Sequence, residues 1–237
     1  IVDPRGNVVG ADADDFTTKY SYDAFGDETS VTDPLGRVTT YKYDAVRNLV
    51  TVKLAAGHIT TSEYDADNEV TKVSNPDGTF TAYQYDGDGR TTAIADSVGH
   101  QTSYTYDPLG DVVTMTDPAG ATTTNGYDAA SQLISVTAPN GGVTVNEYDV
   151  AGQLVKTTGP TGGVTVTSYD PDGREVAVTD PDGNTTVFAY NSLGQQTGTT
   201  RADGKTTSNS VYPAGRWRGY TDAPGDVTTY GYDADGQ

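Results

Sequence analysis

The chain has 237 residues, a formal net charge of −19 at pH 7, 14 scattered Lys and Arg, and no cysteine. Nucleic-acid binding needs a clustered basic face, and disulfides or thiolate metal sites need cysteine, so these classes are excluded. Hydrophobic residues are only 34% of the chain, yet Gly (28) and Tyr (17) recur at fixed places, which predicts a thin, semi-polar core rather than disorder.

The recurring element is a 21-residue unit, spelled by Asp33 to Lys53 as DPLGRVTTYKYDAVRNLVTVK. Tyr-Asp pairs stand at Tyr22-Asp23, Tyr43-Asp44, Tyr64-Asp65 and Tyr85-Asp86, then at Tyr106-Asp107, Tyr127-Asp128, Tyr148-Asp149 and Tyr169-Asp170. Tyr190-Asn191 keeps the step with Asn for Asp, Val211-Tyr212 keeps it with both residues changed, and Tyr232-Asp233 restores the pair. Such a period marks one supersecondary element per unit, unable to bury its faces alone. Residues 1–237 therefore read as a single array: a partial unit at 1–11, ten full units over 12–221 and a truncated unit at 222–237. Both ends fall inside the pattern, so a fragment of a longer protein is expected.

Each unit predicts two turns and two strands. The first turn is Asp-Pro-x-Gly, as in Asp33-Pro34-Leu35-Gly36, and the second is Asp-x-x-Gly, as in Asp107-Pro108-Leu109-Gly110. Asp accepts bonds from the backbone ahead of it, Pro presets φ, and Gly supplies the positive φ that closes the turn. Asn68 and Ser131 replace the second Gly in two units, and Asn tolerates left-handed geometry; Arg47 is harder to accommodate there.

In the first strand, Thr39, Tyr41 and Tyr43 share one face and Val38, Thr40 and Lys42 the other. The Thr position is filled in every unit, from Thr18 and Thr39 to Thr207 and Thr228, and joined units would stack it into a row. The second strand is shorter, with its apolar position at Val31, Val52, Val73, Ile94 and their successors. The strict spacing predicts an uninterrupted ladder, because an added residue forces a bulge or flips side chains. Some twenty strands ~4.8 Å apart would make a ribbon ~100 Å along its edge, and a sheet that wide is expected to curl.

The Tyr-Asp pair could pair an acid with a base, but copies in nearly every unit cannot each be an active site, so the pairs read as structural. Turns such as Asp86-Gly87-Asp88-Gly89 resemble calcium loops only superficially; the EF-hand pattern with its closing Glu is missing. His58 and His100 sit at equivalent places two units apart, too far to share a metal. Trp217, beside Arg216 and Arg218, lies in the most divergent unit. No catalytic, cofactor-binding or metal residue is assigned, and neither a cofactor nor an enzymatic activity is expected.

Asp-Pro-x-Gly-x-x-Thr-x-Tyr-x-Tyr-Asp-x-x-Gly, as Asp96 to Gly110 spell it apart from Ser97, resembles the RHS/YD repeat. The resemblance covers essentially the whole chain. It implies an all-β array of antiparallel hairpins that forms a curved, spiralling sheet or shell segment. Bacterial members of that family are toxins whose shell encloses a variable C-terminal domain, and animal teneurins use a similar shell in adhesion. The self-cleaving aspartyl core that follows the repeats in toxin members is not in this sequence, so no catalytic residue carries over. The expected role is a shell wall of a secreted or cell-surface protein, enclosing a polypeptide cargo of the same parent chain, with no nucleic-acid partner and no membrane insertion. The alternative is an extracellular adhesion or surface-fibre module that binds glycans or self-associates through sheet edges.

Overall fold

The computed structural model describes residues 17–211, 217–222, 224–229 and 231. They form 21 antiparallel strands and no helix. The partial unit at 1–11, Tyr212 and the Tyr232-Asp233 pair lie outside the described residues, as do the side chains of Val211 and Trp217.

The chain divides into two compact units, Ile1–Thr122 and Thr123–Gln237. The first holds β1 (Lys19–Tyr22), β2 (Glu28–Thr32), β3 (Val38–Tyr43), β4 (Leu49–Lys53) and β5 (Ile59–Tyr64). It continues with β6 (Val70–Ser74), β7 (Phe80–Tyr85), β8 (Thr91–Asp96), β9 (Gln101–Tyr106) and β10 (Val112–Thr116). In the second, β11 (Thr122–Tyr127), which starts at the boundary, is followed by β12 (Leu133–Thr137), β13 (Val143–Tyr148), β14 (Leu154–Thr158) and β15 (Val164–Tyr169). Then come β16 (Glu175–Thr179), β17 (Thr185–Tyr190), β18 (Gln196–Thr200), β19 (Thr206–Val211), β20 (Trp217–Thr221) and β21 (Val227–Thr229). Within each unit every strand pairs antiparallel with its neighbours in sequence, as β2 does with β1 and β3, and β14 with β13 and β15.

Both turns of the repeat have the same geometry. Gly36 N donates to Asp33 O (2.9 Å) while Asp33 N donates to Arg37 O (3.0 Å); the pairs Arg47 N to Asp44 O and Asp44 N to Asn48 O repeat it at 3.2 and 3.0 Å. This is a type I turn closed by one left-handed residue, a common three-residue hairpin loop. Arg47, Asn68 and Ser131 take the left-handed position with φ of 73°, 65° and 59°, so the awkward Arg47 does adopt it.

The ladder is not uninterrupted. Lys42 faces Thr51 but Tyr43 faces Leu49, so Val50 has no partner, and the same slip recurs at Glu63/Tyr64, Gln84/Tyr85 and Ser168/Tyr169. One bulge therefore sits beside each repeated Tyr among the described residues, contrary to the expectation drawn from strict spacing. The reason is that 21 is odd. Cross-strand partners share a face and side chains alternate along a strand, so an odd unit would carry Thr39 and Thr60 to opposite faces. Skipping Val50 pairs Tyr41 with Val52, and Val52 with Thr60, which returns every equivalent residue to the same side.

The core is thinner than the sequence implied. Among the described residues only Ala93, Gly198 and Gly219 are buried; the wall is one sheet deep. Its more covered side, the tyrosine face, shows in β13 as half-buried Thr144, Asn146 and Tyr148 against exposed Val143, Val145 and Glu147. The threonine row is there, but it alternates with the apolar row: Thr39 faces Val31, Thr60 faces Val52, Thr81 faces Val73 and Thr102 faces Ile94. β-branched residues facing one another across strands stabilise a sheet without needing a second layer.

Candidate functional site

With no enclosed core, the groups that could act lie on the tyrosine face and along the two rims of turns. On the face, the repeated Tyr is a clip. Tyr43 OH donates to Glu28 O (3.0 Å), Tyr64 OH to Leu49 O (3.0 Å), Tyr85 OH to Val70 O (2.9 Å) and Tyr106 OH to Thr91 O (2.6 Å). Tyr148, Tyr169 and Tyr190 do the same to Leu133, Leu154 and Glu175 at 3.1, 3.0 and 2.8 Å. Pairing of β2 with β3 ends at Ser30 opposite Thr40, so Glu28 lies beyond the ladder. The Tyr hydroxyl takes over a carbonyl that would otherwise want a partner. Tyr22 is exposed on β1, and Tyr127 accepts a bond from Asn125 Nδ2 (3.4 Å).

At the rims the repeated Asp caps its own turn. Asp107 Oδ1 accepts from Leu109 N (2.9 Å) and Asp111 N (3.0 Å), and Asp23, Asp44, Asp65, Asp86, Asp128, Asp149, Asp170 and Asn191 repeat the pattern. In three of the five first turns that lack the Asp, a residue two positions on substitutes: Thr79 N donates to Asp77 Oδ1, Gly142 N to Asn140 Oδ1 and Lys205 N to Asp203 Oδ1, each at 3.0 Å. Sequence reasoning missed a second rim contact. In several second turns the residue after the left-handed position leans over the next unit's second turn: a Cβ built on Gly89 would lie 2.7 Å from Glu69 Oε1, and one on Gly152 would lie 2.9 Å from Gln132 Nε2. Arg47, which does carry a side chain, reaches back instead to grip Asp27 through Nε (2.7 Å) and Nη2 (2.5 Å). The signal was present as a long polar residue at Glu69, Arg90, Gln132, Gln153 and Arg174, 20 residues before a Gly.

The family model of the teneurin YD-shell matches residues 19–212, and that of the RHS repeat matches residues 2–35. The chain belongs to the teneurin YD-shell family. Among solved structures it is similar to a chain in the crystal structure of TcdB2-TccC3-TEV, with a TM-score of 0.72 and 17% identity over 92% of this chain and 13% of that one. It is also similar to a chain of the Photorhabdus luminescens Tc holotoxin pore, with a TM-score of 0.55 and 18% identity over 90% and 14% of the two. A further likeness is to a chain of TcdB2-TccC3, at 0.53 and 15% over 93% and 16%. At these identities the likeness shows the fold, and this chain spans less than a fifth of the length of each. Comparison with curated proteins finds no match.

In the YD-shell array the repeated carboxylates cap the turns. Backbone donors hold Asp33, Asp170 and Asp180 below the usual carboxylate range, and the Arg90 side chain does so for Asp86. A depressed folded pKa contributes stability that is complete above the unfolded value and lost as pH falls through the folded one. The thermal midpoint is therefore expected to stay level from pH 7 to about 4 and to fall below that. Burial pushes Tyr43, Tyr85 and Tyr169 up, so their share of stability is present below about pH 10 and lost above it. A thermal melt recorded from pH 3 to 11 checks both limbs; a flat acid limb would contradict the capping role.

Of the remaining candidates, His58 is exposed, and the exposed His100 places Nδ1 2.9 Å from Asp96 Oδ2, so it belongs to its own turn. Among the described residues no three His, Asp or Glu side chains are grouped to hold a metal ion. In the Asp86-Gly87-Asp88-Gly89 turn, both carboxylates face Arg90, at 2.8 and 3.1 Å.

Proposed function

We propose that this chain is a length of shell wall from a longer exported protein, and that the completed shell holds a polypeptide cargo of the same parent chain apart from its surroundings. The supporting observation is the single-layer sheet: among the described residues the wall has almost no buried side chains, is stiffened by clips and caps, and presents two broad faces. The repeats at 1–237 are read as one array, secreted or at a cell surface, with the Tyr-Asp positions as its structural fasteners. The test is the complete parent protein. Limited proteolysis should spare a C-terminal segment while the shell is intact and degrade it once the shell is opened by denaturant. Equal cleavage in both states would refute enclosure.

A second reading, adhesion or self-association, has its own support. Apolar residues project from the turn tips: in the first unit Leu35 and Val98 from Asp-Pro-x-Gly-type turns and Phe25 and Leu109 from Asp-x-x-Gly turns, and in the second Val150 and Leu193 from second turns, all about two-thirds exposed or more. Sedimentation velocity across a concentration series separates the readings. Growth into larger species favours self-association, and a constant coefficient disfavours it.

A further inference from the structure

One cavity in the first unit has a composition the shell role does not require. It lies at the rim around the turn from β1 to β2, with a volume of about 460 Å³, within the range of about 300–1,000 Å³ usual for small-ligand sites. Its walls include Phe25, Tyr41 and Tyr43, with Asp23, Thr29 and Arg47 among the polar groups. Phe25 is 76% exposed and is the one aromatic residue at the tip of an Asp-x-x-Gly turn, where other units carry Val46, Asp67, Asp88, Leu109 or Leu193.

We infer that this cleft binds a neutral pyranose sugar. The ring of Phe25, unoccupied by protein, offers an apolar plane of the kind that stacks on the C–H face of a sugar. Around it stand polar groups not consumed by the fold: the Tyr41 hydroxyl, the Thr29 hydroxyl and Asp23 Oδ2 make no hydrogen bond among the described residues, whereas Asp23 Oδ1 caps its turn. Thr29 is the bulge residue of β2, set outside the ladder because Ser21 faces Ser30 and Tyr22 faces Glu28. Two hydroxyls that each donate and accept, and one carboxylate oxygen that accepts, suit a row of ring hydroxyls.

Charge selects against the other classes. The Arg47 guanidinium at the wall is bound to both oxygens of Asp27, and Asp44 is occupied by Val46 N, Asn48 N and Asn48 Nδ2. A cation would find Arg47 beside it and most carboxylates already engaged. An anion would find Lys42 on the wall but would also face Asp23, Asp27, Asp44 and a chain of net charge −19. A ligand with an apolar face and hydroxyls, but no charge, meets neither penalty.

The test is titration of the 15N-labelled 237-residue chain with the methyl glycosides of glucose, galactose, mannose and N-acetylglucosamine, and separately with choline. Saturable amide shifts at Phe25, Thr29 and Tyr41 with one glycoside, at a Kd of about 1 mM, support the inference. So does a loss of at least tenfold in affinity for Phe25→Ala, with Phe25→Tyr retaining binding and Leu193→Ala, at the same place in another turn, leaving it unchanged. Shifts with choline alone, no saturable shift with any glycoside, or unchanged affinity in Phe25→Ala would overturn it. None of these outcomes bears on enclosure of a cargo, which is read out by proteolysis of the parent protein.

Discussion

Tyr106→Ala is expected to lower the stability of the array by about 3 kcal/mol, the usual cost of truncating a packed aromatic residue. The side chain does three things at once. Its ring is half-buried on the tyrosine face, the Arg90 guanidinium lies over it at 5.0 Å, and its hydroxyl holds Thr91 O at 2.6 Å. Arg90 also donates to Asp107 O (3.1 Å), so loss of the ring loosens a residue that bridges two turns. Tyr106→Phe isolates the clip and should cost about 1 kcal/mol, the net worth of one hydrogen bond. Tyr148→Phe should cost less, because Leu133 O also accepts from Asn146 Nδ2 at 2.9 Å and keeps a partner. Urea midpoints of the three variants measure this order. An unchanged midpoint in Tyr106→Ala would mean that the clip and ring add nothing to the wall.

The second large effect is expected at a left-handed turn residue. Gly152 has φ of 80°, and a Cβ there meets Gln132 Nε2. Gly152→Val places a β-branched residue in a region that costs an ordinary residue about 1–2 kcal/mol, and it also pushes Gln132 off the turn. A loss of about 2 kcal/mol in denaturant unfolding is the predicted result. Arg47→Gly provides the contrast. It relieves a φ of 73° but removes the exposed ion pair with Asp27, worth about 0–1 kcal/mol, so the two effects should nearly cancel. If Gly152→Val were silent, the left-handed geometry would not be what fixes Gly at this place.

Much of this architecture could be read from residues alone because each signal is local. Asp33, Pro34 and Gly36 announce a turn by their own chemistry, and Thr39, Tyr41 and Tyr43 announce a face by alternation. What escaped was relational. The bulge at Val50 leaves no mark in β4 itself; it follows only from asking whether Tyr41 and Thr60 can share a side when 21 residues separate one unit from the next. The threonine row was likewise placed correctly along each strand, but which residue would lie between Thr39 and Thr60 depended on register, and it proved to be Val52. The rim contact from Glu69 to Gly89 joins turns 20 residues apart, a distance at which a pattern search within one unit sees two unconnected positions. The polar surroundings of Phe25 were invisible for the same reason, since Thr29, Tyr41 and Arg47 come from consecutive strands and turns and meet only once the hairpins pair.

The bulge also constrains how such a gene can change. Unequal recombination between neighbouring repeats adds or removes 21 codons at a time, and each such step leaves the inside and outside of the remaining wall as they were. Gain of a single codon within β4 is a different event. Val50 already fills the one bulge, so a further residue, without a second bulge, would leave every hairpin downstream presenting its threonines and tyrosines to the opposite side. Changes of 21 residues therefore keep both faces of the wall, while one added residue keeps them only where a second bulge takes it up.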